Sequence, residues 1–299
     1  MLSQMKHNII SLFSVLLLTV GLSSCADESM EPDNNSNGKA AMNFTFSHPS
    51  ASRATETSFE SGDVVGLFVS EIGRPLEVSG NTVNNEALTF SGSSWNASRP
   101  LYWDAGNYNA YAYYPRTADV SSITDLPFEI RTDQSGTQAG TMSDYEASDF
   151  LFASAKGISA TNDPVNLQFR HIMSKISINL IKGEDFEGEI PEKATVYIHN
   201  TVSSATVDLT AGVATKDVRG ERKSIVARQA GPTTYSAILV PQRLENRMPL
   251  IEVVMNDVSF LYESKFLFKP GIHHIVNLVV DKNPEQIKIE IGGEITDWN

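Results

Sequence analysis

Cysteine is almost absent from this 299-residue chain, which contains only Cys25. A single thiol cannot close a disulfide within the chain or build a cysteine-based metal site. Basic residues are also scarce, since 23 Lys and Arg against 36 Asp and Glu give a formal charge of −13. Nucleic-acid binding needs a basic surface, so we expect no nucleic-acid partner. The same acidity keeps an exported protein soluble and disfavours adsorption to anionic lipid head groups.

Catalytic signatures are missing as well. The chain has no G-x-S-x-G elbow, no phosphate-binding loop and no H-E-x-x-H motif. His273 and His274 are adjacent on a predicted strand and should point to opposite faces, so they cannot readily share a metal. His171 is expected at the boundary of a strand, and the acidic residues lack the spacing of a calcium loop. We therefore predict that the protein is not an enzyme, with no catalytic residue, no metal and no cofactor.

Only one long apolar run occurs, from Ile9 to Leu22. It is too short for a comfortable transmembrane helix and suits the apolar region of a signal peptide, with Lys6 in the polar segment before it. The run ends in Leu22-Ser23-Ser24-Cys25, which resembles a bacterial lipobox. We predict that residues 1–24 are a lipoprotein signal peptide and that Cys25 carries the lipid. The alternative is an ordinary signal peptide followed by a chance cysteine.

The next segment, residues 25–40, is acidic and polar and offers no apolar surface to bury, so it is predicted to be a flexible tether. Acidic residues just after the lipid cysteine resemble the surface-export signal of Bacteroides-type lipoproteins. They indicate a surface-exposed lipoprotein of the outer membrane. The remaining length accommodates two domains, which we expect at residues 41–169 and 170–299.

From Met42 onward the pattern is typical of strands. Met42, Phe44 and Phe46 alternate with polar residues, which is the period of a half-buried strand. No amphipathic helix longer than two turns is evident, and the polar stretch 132–148 reads as a long surface loop. We predict an all-β chain of antiparallel β-sandwiches. Its other predicted strands, separated by Gly, Pro and Asn turns, lie at 64–69, 108–114, 165–169, 176–180, 194–199, 205–209, 224–228, 234–240, 250–255, 259–268, 272–280 and 287–291.

Aromatic residues are concentrated in the first half of the chain. Such residues can pack a core or, if exposed, stack on a sugar. We favour core packing and keep a glycan-binding surface as the alternative. The cluster comprises Trp95, Tyr102, Trp103, Tyr108, Tyr111, Tyr113 and Tyr114.

A series of short segments, in order along nearly the whole chain, resembles the fimbrillin family of Bacteroides-type bacteria, the Mfa-like fimbrillins. Each segment alone is weak evidence, whereas the ordered set is fairly specific. The segments are Ser52-Arg53-Ala54, Phe59-Glu60-Ser61-Gly62-Asp63-Val64-Val65-Gly66-Leu67-Phe68, Pro100-Leu101-Tyr102-Trp103, Tyr108-Asn109-Ala110-Tyr111-Ala112-Tyr113-Tyr114-Pro115, Asp149-Phe150-Leu151, Leu167-Gln168-Phe169-Arg170-His171-Ile172-Met173-Ser174-Lys175-Ile176, Val240-Pro241-Gln242 and Phe268-Lys269-Pro270-Gly271-Ile272-His273-His274.

The resemblance implies two tandem transthyretin-like β-sandwich domains and a role as a subunit of a cell-surface fimbrium. It also implies a lipidated precursor that an arginine-specific protease trims, here between Arg53 and Ala54. Subunits would then join by donor-strand exchange. Loss of Met42, Phe44 and Phe46 would expose an apolar groove that accepts a strand from another subunit.

The strand that this chain would itself donate is less clear. Ile287, Ile289 and Ile291 alternate with charged residues and form a candidate donor strand. If that strand is instead fixed in the second domain, we expect a tip or accessory subunit. The remaining alternative is a monomeric surface lipoprotein that binds glycans or host proteins.

Overall fold

The computed structural model describes residues 38–49, 58–136, 142–282, 288–290 and 295–298. The described residues form 21 β-strands and one short 3₁₀ helix, Glu146–Ser148. The prediction of an all-β chain with sandwich-like sheets is confirmed, and a strand lies at every position where one was predicted. The segment around Met42, Phe44 and Phe46 buries alternate residues, as in a strand with one face exposed, whereas residues 65–70 and 174–178 are buried at every position, as in strands covered on both faces.

The first half is built around a six-stranded antiparallel sheet with the order β4-β3-β2-β5-β7-β9. A separate pair, β1 with β8, runs parallel across the same core. Gly66 of β2 has no room for a side chain, because an added Cβ would lie 2.3 Å from the ring of Tyr113. The strands are β1 (Phe44–Ser47), β2 (Val64–Glu71), β3 (Val83–Phe90), β4 (Trp95–Ala97), β5 (Asn107–Tyr114), β7 (Leu151–Ser159), β8 (Val165–Gln168) and β9 (Arg170–His171).

A second six-stranded sheet and a four-stranded sheet make up most of the second half. The six-stranded sheet has the order β15-β16-β10-β19-β20, with β21 also paired to β19. Its strands are β10 (Ser174–Lys182), β15 (Arg228–Gln229), β16 (Thr234–Leu239), β19 (Ile272–Val280), β20 (Lys288–Glu290) and β21 (Ile295–Asp297). The four-stranded sheet has the order β14-β11-β17-β18, with strands β11 (Thr195–Val202), β14 (Arg222–Val226), β17 (Gln242–Met255) and β18 (Val258–Phe268).

A three-stranded sheet joins residues from both halves. Its strands are β13 (Val213–Lys216), β12 (Ser204–Asp208) and β6 (Leu126–Glu129), and β6 pairs antiparallel with β12. A third hydrophobic cluster, with Tyr113, Phe150, Met173 and Trp298 among its members, also draws on both halves. The division at 169/170 therefore stays a prediction, and the two halves share buried contacts.

The described part of the stretch 132–148 is a surface loop only in part, because exposed residues alternate there with buried ones. Gln134, Tyr145 and Ser148 are buried. The side-chain amide of Gln134 pairs with the backbone of Ile238 as a neighbouring strand would. Its Nε2 donates to the Ile238 carbonyl at 2.7 Å, and its Oε1 accepts from the Ile238 backbone N–H at 2.8 Å. The polar, Gly/Ser/Thr-rich composition of this stretch gave no indication that a glutamine side chain would hydrogen-bond to the edge of a β-sheet.

Candidate assembly site

The N-terminal strand fills a gap between two other segments of the first core. Its leading part pairs with the 101–103 segment, through the Met42 amide to the Leu101 carbonyl at 2.9 Å and the Trp103 amide to the Ala40 carbonyl at 2.8 Å. Its trailing part, β1, pairs parallel with β8 from Phe44↔Val165 to Ser47↔Gln168. The segment thus has backbone partners on both sides, and its removal would leave unpaired groups on both walls of a groove.

Three side chains of this segment point into the core, as predicted for a half-buried strand. Met42, Phe44 and Phe46 are 8%, 5% and 8% exposed, whereas Asn43 and Thr45 between them are exposed. Burying three large side chains from a segment of six residues attaches the segment mainly by hydrophobic contact. It also leaves an apolar slot if the segment departs.

Aromatic rings form the walls of that slot. Phe44 lies 5.9 Å from Trp103, and Phe46 lies 4.9 Å from Trp95 and 5.6 Å from Phe169, measured between ring centroids. Tilted and edge-on ring contacts of this kind add to the stabilisation that burial alone provides. Sequence reasoning placed these rings in the core but did not connect them with the groove.

Polar contacts on the solvent side are fewer and more exposed. The Asn166 side-chain oxygen of β8 accepts from Thr45 Oγ1 at 3.2 Å and from Ser47 Oγ at 3.0 Å. Asn43 donates to the Asn162 carbonyl at 3.1 Å. Because these groups also reach water, they fix the register of β1 more than they stabilise it.

A cleft of about 560 Å³ lies beside the end of β1. His48, Asp63, Tyr114, Asp149 and His171 are among its lining residues. The Tyr114 hydroxyl donates to Asp63 at 2.8 Å, and burial, reinforced by Asp63, raises the pKa of Tyr114. Burial also lowers the pKa of His48.

The C-terminal end is attached differently, on a sheet of its own chain. β20 pairs antiparallel with β19, with Ile289 opposite Leu278, and β21 pairs with Ile272–His274. The Trp298 amide then donates to the Gly271 carbonyl at 3.0 Å. The candidate donor residues Ile287 and Ile291 lie outside the described residues.

Trp298 packs in the shared core and is 5% exposed. Its ring stacks parallel on His171, with 3.8 Å between centroids, and His171 contacts Asp149 through Nδ1 at 2.7 Å. His171 is a boundary residue, but it ends β9 rather than beginning a strand as we expected, and its stacking contact with Trp298 was missed. No signal in the sequence connected it with Trp298, which lies 127 positions later.

The remaining predicted sites lie partly inside and partly outside the described residues. Cys25, Arg53 and Ala54 lie outside the described residues, so lipidation and cleavage stay predictions. His273 and His274 point to opposite faces of β19, and burial lowers the pKa of each to about 4. Within the described ranges no group of three or more His, Cys, Asp or Glu is placed to hold a metal ion. The same ranges include no helix with the length and apolarity to cross a bilayer.

The aromatic cluster belongs mainly to the core. Trp103, Tyr108, Tyr111 and Tyr113 are buried, and Trp95, Tyr102 and Tyr114 are half-buried. Four of the seven rings therefore cannot stack on a sugar, which removes the main support for a glycan-binding surface at this cluster.

Comparisons with known proteins give a consistent result. The chain is 28% identical over 230 residues to a Bacteroides ovatus protein named "Putative fimbrium tip subunit Fim1C", a match that covers 68% of this chain and 41% of that protein. The chain therefore spans less than half the length of that relative. It is 23% identical over 305 residues to the Bacteroides uniformis protein named "Putative fimbrium subunit Fim1C", covering 96% of this chain and 94% of that one.

The fold is also found among solved structures. The crystal structure of a Bacteroides uniformis protein described as a "putative cell adhesion protein" superposes with a TM-score of 0.67 at 18% identity, covering 88% of this chain and 99% of that one. At this identity the likeness shows the fold alone. The model of the fimbrillin-like family matches residues 52–298, which is most of the chain. The prediction of the family is thus confirmed: this chain belongs to the fimbrillin-like family, whose members include fimbrial subunits and cell-surface adhesion proteins.

Proposed function

We propose that this chain is a fimbrial tip subunit that is exported as a lipoprotein on Cys25, trimmed after Arg53 and joined to the next subunit by strand exchange. The observation that carries the proposal is the position of residues 40–47, which are paired on both sides and bury three large side chains. Trimming after Arg53 would cut the covalent link between this segment and the body. The vacated groove would then accept an alternating strand from another subunit.

The geometry favours a replacement strand of defined pattern. A strand in the groove must satisfy the Leu101 carbonyl and the Trp103 amide on one wall and the amides of β8 on the other. It must also place apolar side chains at alternate positions between Trp95 and Trp103. A shift by one residue would turn polar side chains into the core, so the buried face fixes the register.

Two observations support a tip position rather than a stalk position. The strands β20 and β21 pair with β19 of their own sheet and Trp298 beside them is buried, so neither of these two described strands is free for donation. In addition, one relative is named a tip subunit. A subunit that accepts a strand and donates none ends a head-to-tail series, because it supplies no strand for the groove of a further subunit.

N-terminal sequencing of fimbriae extracted from the cell surface tests the processing step. We expect the mature chain to begin at Ala54. Arg53→Ala should abolish both that new terminus and the incorporation of the protein into fimbriae. Arg74→Ala, an exposed arginine elsewhere on the same half, is the matched control and should change neither. An unprocessed terminus in assembled fimbriae would overturn the cleavage step.

Immunogold electron microscopy tests the position in the fibre. We expect one gold cluster at filament ends. Labelling at intervals along the shaft would indicate a stalk subunit and contradict the tip assignment. Labelling confined to the cell body, with bare filaments, would contradict a role as a subunit altogether.

A further inference from the structure

The structure also presents an open sheet edge on the opposite half of the molecule. β18 is an 11-residue strand at the end of the four-stranded sheet, paired with β17 on one side. On its other side no strand among the described residues pairs with it. Exposed edges of this length are uncommon, because unpaired backbone groups invite another strand.

The exposed face of this edge is apolar at both ends and charged in the middle. Leu261 and Leu267 are 44% and 38% exposed. Between them, Glu263 and Lys265 also project from the surface. A strand laid along this open edge would bury both leucines.

The sequence of β18 is nearly symmetric about Ser264. Equidistant from that residue lie Glu263 and Lys265, then two aromatic residues, then two leucines, then two phenylalanines. In order, residues 260–268 read Phe-Leu-Tyr-Glu-Ser-Lys-Phe-Leu-Phe.

We infer that β18 pairs antiparallel with β18 of a second copy of this chain, about a two-fold axis through Ser264. In that register Glu263 lies opposite Lys265 of the second copy, and the reverse pair forms by symmetry. Leu261 lies opposite Leu267, and Tyr262 lies opposite Phe266. Opposite charges and matched apolar side chains directly across an antiparallel pair stabilise it.

The two charges also restrict the choice of partner. The Glu263 carboxylate lies 3.7 Å from the guanidinium of Arg247 of β17, and that pair is exposed to solvent. An unrelated apolar strand on this edge would leave the charges unmatched, and other registers of the same strand would separate them. An isologous contact of this kind closes after two copies, so it makes a pair rather than a fibre.

This association is independent of the proposed assembly. It uses the second half of the chain and needs no trimming, whereas the groove forms only when residues 40–47 leave. A dimer of the untrimmed protein would therefore not report on strand exchange, and a monomeric untrimmed protein would leave the groove hypothesis intact.

A charge swap tests the register directly. The full chain with Cys25→Ser, which prevents lipidation and disulfides at that residue, serves as the parent for sedimentation velocity. We expect the parent to dimerise. Lys265→Glu places two glutamates opposite each other at both symmetric positions and should raise the dissociation constant of the dimer about tenfold. Glu263→Lys, which places two lysines opposite each other, should do the same. A mixture of the two variants restores both attractive pairs and should form a heterodimer as tight as the parent dimer.

Disulfide trapping gives a second, independent readout. Residues directly opposite in an antiparallel pair have Cα atoms about 4.5–5.5 Å apart, which a disulfide can span. Ser264→Cys in the Cys25→Ser parent should therefore form a covalent dimer on mild oxidation. Ser259→Cys is the control, because its two copies would lie roughly 30 Å apart along the strands.

Three results would overturn the inference. The parent chain could stay monomeric up to about 1 mM, beyond the range of weak specific association. The two charge variants could dimerise as well as the parent, alone as well as mixed. Alternatively, Ser259→Cys could crosslink as efficiently as Ser264→Cys. Circular dichroism of every variant checks that the fold is intact.

Discussion

The two ends of the described chain are both held by strand pairing, but in opposite ways. The N-terminal segment lies between two neighbours and fills the core with Met42, Phe44 and Phe46. The C-terminal strands β20 and β21 lie along β19, and a single aromatic side chain, Trp298, packs at their end. Removal of the first opens a groove, whereas removal of the second uncovers one side of a strand. This difference is why we assign strand acceptance to the N-terminal half.

Phe44→Ala should have the largest effect on the stability of the protein. The side chain is 5% exposed and packs on Trp103, so truncation leaves a cavity in the first core. We expect a loss of about 3–5 kcal/mol in the free energy of unfolding, measured by urea denaturation. Thr45→Ala, on the solvent side of the same strand, is the control and should cost about 0.5 kcal/mol or less. Equal losses would mean that burial is not what attaches β1.

Trp298→Ala should have the next largest effect. It removes the ring that stacks on His171, and we expect a loss of about 3 kcal/mol in the free energy of unfolding. Hydrogen exchange should also become faster at the amides of β19 that pair with β21. Trp298→Phe keeps an aromatic ring in place and should retain most of the stability. If exchange in β19 is unchanged in Trp298→Ala, the tryptophan does not hold the C-terminal strands.

Acid should lower the stability of the C-terminal half, because two histidines of β19 have lowered pKa values. Burial lowers the pKa of His273 and of His274 to about 4, from 6.5. In the unfolded chain these rings take up a proton near pH 6.5, whereas in the folded chain they do so only near pH 4. The contribution of these two histidines to the free energy of unfolding is therefore fully present above pH 6.5 and is lost as the pH falls to 4. The buried His274 should account for up to roughly 3 kcal/mol, and the half-buried His273 for less.

Urea denaturation at a series of pH values measures this dependence. We expect His274→Gln to have a flatter stability profile between pH 4 and 6.5 than the parent chain, whatever its stability at pH 7. Parallel profiles for the two proteins would show that His274 titrates alike in the folded and unfolded states, contrary to its burial.

Asn166→Ala should have the smallest effect. Its side chain accepts hydrogen bonds from Thr45 and Ser47, but all three groups lie at or near the surface. We expect a loss of about 0.5 kcal/mol in the free energy of unfolding, with β1 still protected from hydrogen exchange. A loss as large as that of Phe44→Ala would show that β1 is held by its polar contacts rather than by its buried side chains.

Local alternation of apolar and polar residues was sufficient to predict the all-β class and most long strands, including β1, β10 and β19. Among the longer strands it missed β3 and β7, in which small and polar residues interrupt the pattern: Asn84 and Asn85 in β3, and Ala153 and Ala155 in β7. It identified Met42, Phe44 and Phe46 as buried because each lies on one face of a strand with a strict two-residue period.

Pairings between segments far apart in the chain could not be predicted from the sequence. The parallel pairing of β1 with β8 joins residues about 120 positions apart, and no local signal specifies it. The buried glutamine at 134 and the stack of Trp298 on His171 likewise depend on how distant segments meet. Such contacts follow from the tertiary arrangement rather than from local propensity.

Uptake of a labelled peptide tests the central claim most directly. The full chain receives a site-specific protease sequence in place of residues 51–55 and is then mixed with a fluorescent peptide of residues 40–49. The account predicts that fluorescence anisotropy rises only after cleavage, as the peptide replaces the released segment in the groove, and that a peptide with serine at the positions of Phe44 and Phe46 fails to bind. No uptake after complete cleavage, or equal uptake of both peptides, would contradict it.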